Sequence, residues 1–76
     1  LYIYVRFWGE HFSAKHYSSI QKIIEIAFED IRYKRALPCS VIDECGNVLY
    51  NKREIKTAIE EYCLKQSIDW EFIYNE

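Results

Sequence analysis

His11, Lys15 and His16 stand close together just after a glycine, Gly9. If a helix starts there, its first turn offers unpaired N–H groups and the positive end of a dipole, which suits an anion. Gly9 would let the backbone approach the ligand closely. One glycine is far short of a phosphate-binding loop, and an exposed polar connection is the plainer reading. His11, His16, Cys39 and Cys45 are metal-ligand types, but their spacing matches no zinc signature. Ser13, Ser18 and Ser19 lie near His16 in the chain. A nucleophile also needs an orienting group behind its base, so these serines read better as caps and first-turn residues. No cofactor is implied.

The second set of chemically able residues lies in Leu1 to Trp8, Leu-Tyr-Ile-Tyr-Val-Arg-Phe-Trp. Aliphatic and aromatic side chains at this density suit a strand. Side chains alternate along a strand. Leu1, Ile3, Val5 and Phe7 therefore share one face, expected to be core. Tyr2, Tyr4, Arg6 and Trp8 share the other, expected to point away from the helices.

The remaining elements must position these groups. Gly9 to Ser13 reads as a connection. A helix follows, capped by Ser13 or by Ser18, with Ile20, Ile23, Ile24, Ala27, Phe28 and Ile31 at helical spacing. Arg32, Lys34 and Arg35 crowd its end, where cations complement the dipole. Cys39 to Asp43 reads as a short strand, and Pro38 at its start suggests a sheet edge. Asp43-Glu44-Cys45-Gly46 has turn chemistry, and Val48-Leu49-Tyr50 returns as a hairpin partner. Asn51 caps a second helix with Glu54 three residues on; Ile55, Ala58, Ile59, Tyr62 and Cys63 form its apolar stripe. Ser67 to Tyr74 alternates as a last strand, with Ile68, Trp70, Phe72 and Tyr74 on one face and Asp69, Glu71 and Ile73 on the other.

The predicted order is β-α-β-β-α-β. With right-handed crossovers it gives an α+β domain, a ferredoxin-like plait whose four-stranded antiparallel sheet runs 4-1-3-2 with both helices on one face. Ile3, Val5, Ile24, Phe28, Ile55, Ile59 and Tyr62 are then the expected core. Tyr2, Tyr4, Arg6 and Trp8 would lie beside Glu71 and Ile73 on the free face, with Arg6 able to pair with Asp69 or Glu71.

Seventy-six residues allow one domain at most. Half the residues are apolar and only three are Gly or Pro, which argues against disorder. No apolar run approaches the ~20 residues that span a bilayer. The chain contains no Met, so a short lead-in before Leu1 is expected. Three cysteines, an odd count without a Cys-x-x-Cys pair, fit a reducing, cytoplasmic setting better than a secreted one. Net charge is −2, too small for a strong polyanion binder. Residues 1–35 carry six Lys/Arg against four Asp/Glu; residues 36–76 carry four against eight.

Leu1-Tyr2-Ile3-Tyr4-Val5 resembles the first-strand motif of RNA-recognition-motif domains. The resemblance implies base stacking on Tyr2, Tyr4 and Trp8, with Arg6 near a phosphate. That family's second motif, basic and aromatic on the third strand, is matched in Gly46 to Tyr50 only at Tyr50. Acylphosphatases share the plait and bind an anion in the loop after the first strand, but Gly9 to Ser13 does not reproduce their motif. The acidic balance, with Asp69 and Glu71 beside the aromatic face, favours a protein partner. The expected function is a small protein-binding module, whose surface would serve a homodimer or a foreign target. In size and character it resembles the regulators and inhibitors made by phages and other mobile elements. Single-stranded nucleic-acid binding is the alternative, and a small hydrolase using His11, Lys15 and His16 the third reading.

Overall fold

The computed structural model describes residues 1–68. Within them the chain is α+β: an antiparallel four-stranded sheet carrying two helices. The elements are β1 (Tyr2–Trp8), β2 (His11–Tyr17), α1 (Ile20–Arg32), β3 (Leu37–Asp43), β4 (Val48–Tyr50) and α2 (Lys52–Lys65). The sheet order is β2-β1-β3-β4. The shortest principal extent is 17 Å, the thickness of one sheet plus one layer of helices.

Three expectations need correction. First, residues 11–17 are a strand, where a connection and the start of a helix were expected. Trp8 and His11 face each other across a two-residue loop, Gly9-Glu10. Gly9 has φ +64° and Glu10 is not in the positive-φ region, the pattern of a type II′ hairpin turn. Helix α1 therefore starts later, capped by Ser19, whose Oγ accepts the Lys22 N–H.

Second, β1 lies between β2 and β3. The 4-1-3-2 plait would set Val48–Tyr50 beside β1 and leave Cys39–Asp43 at the edge; the observed places are the reverse. Pro38 misled as an edge marker. It sits opposite Arg6, next to a register shift that leaves Cys39 as the extra residue, and a bulge accommodates a residue that cannot donate to the ladder. Of the expected last strand, Ser67 to Tyr74, Ser67 and Ile68 instead close the end of α2, and residues 69–74 lie outside the described residues.

Third, the sheet faces the helices with the side of β1 opposite to the one expected. Tyr4 is only 1% exposed and joins Ile23, Ala27, Val41, Ile55, Ile59 and Cys63 in the core. Of the expected core, Ile24, Phe28, Ile55 and Ile59 are buried, and Tyr62 packs against them. Ile3 and Val5 are half-buried on the other side of the sheet.

The turns and caps follow the sequence closely. Asp43 Oδ1 accepts the Cys45 and Asn47 N–H groups, both at 2.9 Å, and Gly46 N–H donates to the Asp43 carbonyl. These bonds, with the Asn47 side-chain amide first in effect, hold the Asp43 carboxyl below its usual range. Asn51 and Glu54 form a reciprocal capping box on α2. Both helices end alike. Lys34 N–H donates to Ile31 O and Arg35 N–H to Asp30 O; Ser67 N–H donates to Leu64 O and Ile68 N–H to Cys63 O. These are Schellman motifs, with Lys34 at φ 54° and Ser67 at φ 56° in the left-handed position.

Ile59, fully buried under the sheet, gives the test of this packing. Ile59→Ala should lower stability in urea titrations by about 2–5 kcal/mol, a cavity-type loss. Val5→Ala should cost much less, because its site is half open.

Candidate functional site

Asp30 is a buried carboxylate that accepts three hydrogen bonds. It stands in the last turn of α1, seven residues after Ile23 and three after Ala27, on the buried stripe. It is 0% exposed. Its Oδ2 accepts the Tyr4 hydroxyl at 2.8 Å, and its two oxygens accept Arg6 Nη1–H at 3.0 and 2.9 Å. Arg35 Nε lies 3.3 Å from Oδ1. The Asp30 carbonyl meanwhile receives the N–H of Arg35, closing the cap. One residue thus ties α1, β1 and the α1–β3 connection together.

Around this carboxylate the even side of β1 is half inside and half out. Arg6 is 6% exposed, and its Nε–H is buried with no hydrogen-bond partner. Its guanidinium carbon lies 4.7 Å from the Trp8 ring centroid, within cation–π range. Trp8 itself is 51% exposed. Arg35 reaches from Asp30 to Glu29 and to the Tyr33 ring.

Burial, followed by the bond to Asp30, pushes the Tyr4 phenol far above its ordinary value of 10.0. A phenol held neutral in this way is a hydrogen-bond donor to Asp30. It is poorly placed to act as a base or nucleophile. Burial likewise pushes up the Cys63 thiol, leaving an inert core residue.

The residues singled out from sequence separate. Tyr4 and Arg6, expected on a free binding face, are buried beneath the helices; this corrects their placement. The reason is electrostatic, since a buried Asp30 draws the cation of β1 to its own side of the sheet. Tyr2 is half-buried against the core and Trp8 is exposed at the corner. Glu71 and Ile73 lie outside the described residues, as does Asp69, so Arg6 pairs with Asp30 among the residues described. His11 and Lys15 share the helix side of β2, opposite Trp8 and Tyr4, while His16 points to the other face. They sit in strand β2 and not in the first turn of a helix. His11 and His16 on opposite faces cannot share a metal ion, and no group of metal-binding side chains occurs among the described residues. Ser13 and His16 also face opposite ways, so they cannot form a nucleophile–base pair.

What sequence reasoning missed is Asp30 and the free face. The signal for Asp30 was its spacing from Ile23 and Ala27: a carboxylate within an apolar helical stripe needs a buried cation. The free face of the sheet carries Ile3, Val5 and Phe7 from β1, with their cross-strand partners His16, Ala14 and Phe12 on β2. From β3 and β4 come Leu37, Ser40, Ile42 and Val48. None of these positions is Lys, Arg, Asp or Glu. Phe7 and Phe12 meet edge to face at 5.1 Å, yet Phe12 remains 71% exposed and Val48 62%. Among the described residues no helix lies over this face, and no helix is long and apolar enough to cross a membrane. No protein-family model, curated protein or solved structure matches the chain significantly.

Tyr4 gives a pH test. A phenol that stays protonated when folded but ionises when unfolded withdraws stability as pH rises past the unfolded value. Tyr4's contribution is therefore whole below pH 10 and is lost progressively above it. Tyr4→Phe should be less stable at neutral pH by ~1–2 kcal/mol, because Asp30 loses a donor. It should also lose less stability than wild type between pH 9 and 11. Denaturant titrations across that range check both signs.

Proposed function

We propose that this protein is a small protein-binding module that works by occupying an apolar surface of a partner protein, without turnover. The observation that carries the reading is the uncharged, apolar free face of the sheet, with Phe12 and Val48 standing out of it. Large apolar faces on small domains mark interaction sites. A protein surface of matching apolar character is the complement this chemistry calls for. A phosphate track would need cations, and the face supplies none at its described positions. The aromatic side of β1, the basis of the nucleic-acid alternative, is filled by the Tyr4–Arg6–Asp30 cluster. A regulator or inhibitor of the kind made by mobile elements is one form such a module takes. The three cysteines are free, which suits a reducing compartment.

The test is affinity capture from the native host with wild type, Phe12→Lys and Trp8→Ala, after melting curves show all three folded. Wild type and Trp8→Ala should retain one protein in stoichiometric amount, and Phe12→Lys should lose it. Recovery of nucleic acid that washes off in salt would reverse the reading. Loss of the partner in Trp8→Ala alone would move the interface to the Trp8 corner.

A further inference from the structure

We infer that the free sheet face is covered, in the isolated protein, by a second copy of the same chain, the two sheets stacked back to back. The inference rests on the reading that this face is an interface and names its first occupant. Four strands at ~4.8 Å spacing and up to seven residues at ~3.3 Å each span roughly 19 by 23 Å, on the order of 400 Å² in plan. Side-chain relief, with Phe12 and Val48 protruding, raises the accessible area above that figure. Twice such a face is roughly 800 Å² in plan, below the ~1,200 Å² of standard specific interfaces and in the class of weak, transient contacts. The dimer is therefore expected to be weak and reversible.

A two-fold pairing brings each side chain near the axis against its own counterpart. Charged groups there would repel, and the described face has no Lys, Arg, Asp or Glu. His16, on the β2 edge opposite Ile3, is its one titratable side chain. A second copy needs only shape and apolar contact, and sheets pack so at ~10 Å. The 17 Å thickness fits a two-layer unit whose open side becomes the middle of a four-layer dimer.

Sedimentation velocity from roughly 5 to 500 µM, bracketing the affinity expected of so small an interface, tests this. Wild type should pass from monomer to dimer over that range. Phe12→Lys and Val48→Lys, both at exposed positions, should stay monomeric with unchanged melting curves; if one fails to fold, the other serves. Trp8→Ala should dimerise like wild type. A monomer at every wild-type concentration overturns the inference. So does a dimer that survives both lysine variants. A monomeric wild type that still captures a foreign protein through Phe12 overturns self-association alone, whereas a monomer that captures nothing overturns the protein-binding reading too.

Discussion

The ion pair between Arg6 and Asp30 decides which way the sheet faces. Both groups lie below the surface, where an unpaired charge costs several kcal/mol. Once Asp30 sits on the buried stripe of α1, the cation of β1 must face it. Alternation then carries Tyr2 and Tyr4 inward with Arg6, and turns Ile3, Val5 and Phe7 outward. A carboxylate with two donors, an ion pair to Arg35 and a closed helix cap fixes the register of β1 against α1 more sharply than aliphatic contacts would. The pair's value lies in this specificity, since such pairs contribute little net stability against a well-packed apolar substitute.

The proposed function rests on what is left outside. In most small domains the more apolar face of a strand supplies the core. Here the core takes a tyrosine and an ion pair, and among the described residues the aliphatic side of β1 remains open beside Phe12, Ile42 and Val48. The face left open among the described residues is therefore a consequence of the buried charge, and it is the surface on which the proposed binding rests. The Trp8 corner has a different character. Its ring rests on a guanidinium already committed to Asp30, so Arg6 serves there as a support.

Much of the chain was legible in its sequence where local chemistry decides structure. The β3–β4 turn, both helix bodies and the Asn51 capping box all follow from residues within four positions of one another. The β1–β2 hairpin was hidden because Gly9-Glu10 is a sparse turn signal and His11 to Tyr17 is mostly polar. The facing of β1 was hidden for a deeper reason. Hydropathy ranks Val5 above Arg6 as a core residue. Only the partner 24 positions away reverses that order, and nothing local announces it. Because the expected binding face depends on that facing, two of its residues, Tyr4 and Arg6, are buried instead of exposed.

The central claim is that the Arg6–Asp30 pair is buried and sets the facing of the sheet. A double-mutant cycle by urea denaturation, with Arg6→Leu, Asp30→Leu and the double variant, tests it most directly. Each single variant leaves a buried charge and should lose about 3–5 kcal/mol. The double variant leaves none, and should lose less than the sum by roughly 2–3 kcal/mol. A single variant that unfolds while the double folds is the same result in stronger form. Two losses under ~1 kcal/mol that simply add, as for an exposed pair, would contradict the account.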